Sequence, residues 1–233
     1  MKTQIAIAIA LVAGAAAAAP FEDSMAQRTL ACTGCHGQEG RAAPDGYHPR
    51  LAGKPAAYLY NQLVNFRDNR RHYGLMTRLI DPLSDPYLME IAQYFSALDL
   101  PYPPAAPAPV PAELLRRGET LVRQGDAAKK IPACVQCHGE ALTGAMPATP
   151  GLLGLPRDYL NAQLGAWQSG QRRAQAPDCM QRVARALSPE DLTAVAAWLS
   201  SQPVPANTHA VATLARKPDI ACGSAALPAG ATP

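Results

Sequence analysis

Aromatic residues make up only 6% of the 233 positions, and charged residues 17%. Beyond the N-terminal segment, no run is apolar enough to cross a bilayer. No basic stripe is interleaved with aromatics, which excludes a nucleic-acid face. No stretch shows the alternating pattern of a half-buried strand, so the reading is all-α. Charge is nearly balanced: residues 20–100 carry 8 basic and 9 acidic groups, and residues 113–205 carry 10 and 8. The scarcity of rings has a further consequence. Units of about 90 residues bury a modest share of their surface and need a disulfide, metal or cofactor to compensate, so something other than aromatic side chains should fill the centre.

What the chain does have begins at its N-terminus. Lys2 precedes an uncharged apolar run of 15 residues from Ile5 to Ala19, closed by small residues. That is the order of a secretory signal, and it is shorter than the roughly 20 residues of a membrane span. Pro20 blocks cleavage immediately before itself, which places the cut after Ala18 and makes residues 1–18 the signal peptide. An uncleaved anchor is the alternative. Export implies an oxidising compartment, and the periplasm is the expected location.

Proline is abundant, with 23 residues, and it concentrates in Leu100 to Pro111, LPYPPAAPAPVP. Such a tract favours extended polyproline geometry at about 3.1 Å per residue and could span roughly 35 Å. It is read as a linker over 101–112, between units at 19–100 and 113–205, with a tail at 206–233.

The two units repeat one another. Cys32-Thr33-Gly34-Cys35-His36-Gly37 returns as Cys134-Val135-Gln136-Cys137-His138-Gly139, displaced by 102. Pro49, Leu51, Gly53, Pro55, Tyr58, Leu59, Gln62 and Leu63 return 101 residues later as Pro150, Leu152, Gly154, Pro156, Tyr159, Leu160, Gln163 and Leu164. Met76, Ser84 and Tyr94 match Met180, Ser188 and Trp198 at a displacement of 104. Ordered matches with so little drift indicate a duplicated domain.

Helical spacing recurs in both copies. Leu88, Ile91, Ala92, Phe95 and Leu98 form one apolar face, as do Leu192, Val195, Ala196 and Leu199. Ser188-Pro189-Glu190-Asp191 is a helix start, and Ser84-Asp85-Pro86 does similar work. Further helices are predicted over 23–31, 55–70, 113–124 and 156–169, with Met76 and Met180 in loops before the final helices.

C-x-x-C-H is the attachment signature of c-type haem. Cys32, Cys35, Cys134 and Cys137 would bind the vinyl groups of two haems, placing His36 and His138 beneath the iron. A zinc knuckle or redox dithiol is the competing reading, and neither half holds the second CxxC a zinc site would use. The sixth ligand separates a carrier from a catalyst, because a Met thioether closes the coordination shell and raises the potential. Met76 follows His36 by 40 residues and Met180 follows His138 by 42, whereas Met89 aligns with Thr193 and Met146 with Asp45. The paired methionines are therefore the candidates. His48, His72 and His209 do not recur and are assigned to the surface or loops. Pro49 and Pro150 lie 13 and 12 residues after the histidines, where a backbone carbonyl can accept the Nδ1 proton.

The doubled CxxCH, the P-x-L-x-G-x-P-x-x-Y-L-x-x-Q-L block, the later Met and the final apolar helix resemble the dihaem cytochrome c4 family over Asp23 to about Pro205. The resemblance implies two tandem cytochrome c folds related by a pseudo-twofold axis, with haems close enough for rapid internal transfer. It also implies thioether links at Cys32, Cys35, Cys134 and Cys137, proximal ligands His36 and His138, and distal ligands Met76 and Met180. The expected role is a periplasmic one-electron carrier between a respiratory donor and an oxidase or other acceptor, without enzymatic activity. Its partners would be a terminal oxidase, dehydrogenase or reductase complex, with peripheral association to a membrane complex. A cytochrome subunit of a dehydrogenase complex, or a dihaem enzyme such as a thiosulfate dehydrogenase or peroxidase, remains open.

Cys179, beside Met180, and Cys222, in the tail, depart from the family pattern. A disulfide between them is expected in an oxidising compartment. Closing that 44-residue loop would stabilise the fold by roughly 4 kcal/mol on a chain-entropy account. Two free thiols, or Cys179 as an iron ligand, are the rivals. Arg70-Arg71 and Arg172-Arg173 occupy similar places and read as solvated helix ends, with pairing to haem propionates as the alternative.

Overall fold

The computed structural model describes residues 22–105 and 109–226. The expected signal peptide, residues 1–18, lies outside them. Among the described residues no helix is long and apolar enough to cross a membrane.

Helices dominate. In the first half they are α1 (Met25–Arg28), α2 (Leu30–His36), α3 (Ala56–Arg67), α4 (Gly74–Ile80) and α5 (Asp85–Ala97). The second half has α6 (Ala112–Arg123), α7 (Val135–His138), α8 (Arg157–Ser169), α9 (Cys179–Ala186) and α10 (Pro189–Ser201). Two-residue strands β1 (Gly144–Ala145) and β2 (Thr149–Pro150) pair antiparallel beside α7. The helix starts follow the sequence: Ser84 and Ser188 cap α5 and α10 by accepting from Tyr87 N and Asp191 N, and Asp191 completes a capping box.

Two local expectations are corrected. The helix expected over 23–31 breaks at Thr29, whose hydroxyl turns back to donate to the Met25 carbonyl at 2.7 Å, and a new helix carries Leu30 through the CxxCH motif. Met76 and Met180 lie on α4 and α9, not in loops. At 7 and 8 residues these helices are too short for periodicity to betray them, although Asp178 caps α9 by accepting from Gln181 N.

The core of the second half forms where α6 crosses α10 and α8 closes beneath, bringing Leu121, Val122, Leu160, Trp198 and Leu199 together. The crossing is close because Gly118 sits there: a Cβ on it would lie 2.2 Å from the Ala194 carbonyl oxygen. In the first half α3 packs on α5 through Leu59, Ile91, Ala92 and Phe95.

The halves meet through their duplicated residues. Arg71 donates to Gln62 at 3.2 Å and to Gln163 at 2.7 Å, while Arg172 donates to Gln163 at 2.8 Å and to Gln62 at 2.9 Å. Around this reciprocal square, His72 N donates to Gln171 O and Arg173 N to Arg70 O. The true equivalents are thus Arg71 and Arg172, one position off the pairing of the two Arg-Arg dipeptides. Arg172 is only 5% exposed, which corrects its reading as a solvated helix end. The linker is also held: Arg50 donates to the carbonyls of Leu100 and Pro101 and lies 4.0 Å from the Tyr102 ring centre, and that ring packs on Gly154.

The tail folds back along the second half. Val211 exchanges backbone hydrogen bonds with Gly144 and Met146, and Cys222 is disulfide-bonded to Cys179, with Cα atoms 4.9 Å apart. The disulfide occupies the Cys179 sulfur, so the reading of Cys179 as an iron ligand is set aside.

Candidate haem sites

Each CxxCH segment ends its helix at a glycine with positive φ, Gly37 at 74° and Gly139 at 80°. At Gly37 an added Cβ would strike the Ala42 carbonyl at 2.3 Å, so the chain reverses tightly behind the histidine. That reversal brings the Pro-containing loop up to the imidazole. His36 Nδ1 lies 2.8 Å from the Pro49 carbonyl oxygen and His138 Nδ1 lies 2.8 Å from that of Pro150. In each case Nδ1–H donates to the carbonyl, which fixes the tautomer and leaves the Nε2 lone pair available to a metal. Both rings are buried, and burial pushes both imidazoles below their ordinary pKa, outweighing the opposing effect of the carbonyl bond. Neutral histidine is the form that ligates.

Cys134, Cys137, His138 and Met180 line one cavity of about 450 Å³. Its walls are largely apolar, including Leu152, Leu160, Leu164 and Val195. In the first half the same residue types are spread over two helices. Cys32, Cys35 and His36 lie on α2, and Met76 is half-buried on α4 against Phe66, Ile80 and Leu88. The unrepeated histidines differ. His48 accompanies the first site, its ring 6.0 Å from that of His36 and hydrogen-bonded to Asp45, whereas His209 is exposed beside Asp99.

The surroundings argue against thiolate chemistry. Burial pushes the Cys134 thiol up to about 12 and also raises Cys32 and Cys137, the opposite of an activated dithiol. Among the described residues no three His, Cys, Asp or Glu side chains gather as a metal cluster.

The cavity's polar groups suit a different guest. Lys54, Arg172 and Lys217 line it, and among the described residues no Asp or Glu does. Trp167 Nε1, in the same wall, is buried without a hydrogen-bond partner among the described residues. A cavity with an apolar body, two cysteines, a tautomer-locked histidine, a methionine and uncompensated donors fits a flat apolar macrocycle bearing carboxylates, which is the chemistry of a c-type haem. Sequence reading missed Lys54, Trp167 and Lys217, because none belongs to a motif. Arg71, Arg172, Gln62 and Gln163 were within reach, since their recurrence marks residues that see each other across the repeat.

The cytochrome c family model matches residues 116–203. The chain is 38% identical to a thiosulfate dehydrogenase electron acceptor of Thiomonas intermedia, over 81% of this chain and 83% of that protein. It is 32% identical to cytochrome c4 of Pseudomonas aeruginosa, over 74% and 84% respectively. Reduced cytochrome c4 from Pseudomonas stutzeri has a similar structure, with a TM-score of 0.65 at 30% identity, covering 76% of this chain and 96% of that one. Thiosulfate dehydrogenase from Marichromatium purpuratum matches with a TM-score of 0.66 at 33% identity, over 74% of this chain but only 36% of that longer one.

Proposed function

The chain belongs to the dihaem cytochrome c4 family, an electron carrier with two covalently bound haem c groups, and from this we propose that it is a periplasmic relay taking single electrons from a dehydrogenase. A thiosulfate dehydrogenase is the donor favoured by the relative named as that enzyme's electron acceptor. The downstream acceptor is an oxidase or a further carrier. Domains at 19–100 and 113–205 hold one haem each, exported by the signal at 1–18 and joined by the linker at 101–112, with the tail at 206–233.

In this reading Cys32, Cys35, Cys134 and Cys137 carry the thioether links. His36 and Met76 would hold one iron, and His138 and Met180 the other. The haems supply reversible one-electron chemistry. The protein's part would be to hold it steady: the Pro49 and Pro150 carbonyls fix the imidazoles, the Met76 and Met180 thioethers would complete the iron's ligand set, and the apolar walls of the second cavity would exclude water. The reciprocal Arg71, Arg172, Gln62 and Gln163 contacts keep the halves in one orientation. The observation that carries the proposal is the convergence of Cys134, Cys137, His138 and Met180 on one cavity.

The test combines haem counting, ligand spectroscopy and turnover. Two haems per chain are expected, with a Met–iron charge-transfer band that weakens in Met76→Ala and again in Met180→Ala. Thiosulfate should reduce the holoprotein only when a thiosulfate dehydrogenase is added. Ready binding of carbon monoxide by the reduced protein at neutral pH, or oxidation of thiosulfate by the isolated chain, would overturn the carrier reading.

A further inference from the structure

The repeat leaves one face covered in the second half and open in the first. Among the described residues, the large apolar side chains that stand exposed are Leu30, Tyr47, Leu75 and Leu79 in the first half and Met146 in the second. At the displacements of 102, 101 and 104 found in the sequence, the first four correspond to Pro132, Ala148, Cys179 and Val183. All four counterparts line a single cavity of the second half, so the repeat assigns the exposed residues to a common face. The contacts agree: the Tyr47 ring lies 5.8 Å from that of Tyr73, which holds the N-cap position of α4, and Leu75 and Leu79 stand one turn apart on that helix. Leu75, 66% exposed, adjoins Met76.

What covers the counterpart face is the tail. Leu214, Pro218, Ile220 and Ala221 line the cavity together with Val183, and Cys222 bonds covalently to Cys179, the counterpart of Leu75. This part of the tail forms no helix. The first half has no copy of it: the linker, which follows α5 as the tail follows α10, is engaged by Arg50 and Gly154. An apolar stripe that is bolted under chain in one copy is thus left to solvent in the other, and clusters of exposed apolar side chains mark binding surfaces. The charges nearest in sequence, Asp45, Arg78 and Asp81, are of mixed sign, so the face selects an apolar partner and not a strongly charged one.

We propose, resting on the carrier reading above, that the first-half face of Tyr47, Leu75 and Leu79 is where the electron-donating dehydrogenase docks, and that the donor fills it with an extended apolar segment of the kind the tail lays on the second half. The tail is the internal template for that segment. A carrier must part from its donor after each electron, which favours a small, reversible contact over a permanent second copy; weak redox encounters bury less than about 1,200 Å² in all. The tail keeps the equivalent face of the second half out of reach. Each donor therefore meets the carrier in one orientation, and the electron enters through the first half.

The experiment measures reduction of the holoprotein by thiosulfate and a thiosulfate dehydrogenase at varied carrier concentrations. Leu79→Lys and Tyr47→Ser alter exposed side chains outside the ligand set, so the Met–iron band and both reduction potentials should stay as in the parent. Each should raise the KM for the carrier about tenfold, the effect of losing one apolar anchor, with kcat little changed, while Leu79→Met retains the parent value. Ala215→Lys, at an exposed tail position, should leave KM unchanged. Added salt should barely move the parent's KM, since the contact is apolar. The docking face is overturned if Leu79→Lys and Tyr47→Ser leave KM alone, if Ala215→Lys raises it, or if salt weakens the encounter steeply. It is overturned too if sedimentation shows a dimer of the parent that Leu79→Lys separates, which would give the face to a second copy. A parent that the dehydrogenase cannot reduce overturns the donor reading itself, and this inference with it.

Discussion

A single carbonyl can decide what a histidine is for. Pro49 and Pro150 each sit one hydrogen bond from an Nδ1 atom, and both distances were foreshadowed by spacing alone. Asp191 shows the same economy in a structural role. It is 3% exposed and receives Arg117 Nε at 2.7 Å and Lys129 Nζ at 2.6 Å. Burial would raise its pKa, but the hydrogen bonds from Arg117, Lys129 and Ser188 outweigh burial and hold the carboxyl well below the usual carboxylate range. Because the native value is depressed, the stability Asp191 supplies is complete above about pH 4 and drains away as pH falls through that lowered value. Asp191→Asn should cost about 2 kcal/mol at neutral pH, less than a fully buried pair because Arg117 and Lys129 are partly solvated. It should also flatten the acid limb of stability against pH, as denaturant titrations of the holoprotein from neutral to acid would register.

At the scale of elements, the α6/α10 crossing depends on one missing side chain. Gly118→Ala places a methyl within 2.2 Å of the Ala194 carbonyl, against backbone that cannot step aside. The helices must separate, at about 1–3 kcal/mol of overpacking, and a lowered melting temperature with an intact haem spectrum is the expected result. Nothing in the sequence announced this glycine, since its reason is a neighbour 76 positions away. The long helices were legible because their apolar faces repeat and Ser84 and Ser188 punctuate them. The short helices under Met76 and Met180 were not, because two turns give no period to read. The two CxxCH motifs were legible as sequence patterns, and in the second half Cys134, Cys137, His138 and Met180 line one cavity. The cations lining the second cavity were hidden, since Lys54 belongs to the first half and to no motif.

For the molecule as a whole, duplication supplies the joint and the tail breaks the symmetry. Two arginines and two glutamines, each pair one residue type copied, grip one another so that each glutamine oxygen serves both halves. The tail is secured by the Cys179–Cys222 bond across 43 residues. Cys222→Ser should destabilise the second half by up to about 4 kcal/mol on the chain-entropy account, measurable as a lowered thermal transition that thiol reductants reproduce in the parent protein and leave unchanged in the variant.

That bond also closes a wall. Leu214, Ile220 and Ala221 line the same cavity as Cys134, Cys137, His138 and Met180, and the Cys179–Cys222 bond ties their stretch of tail to the residue next to Met180. Severing it would therefore loosen one side of that cavity together with the tail.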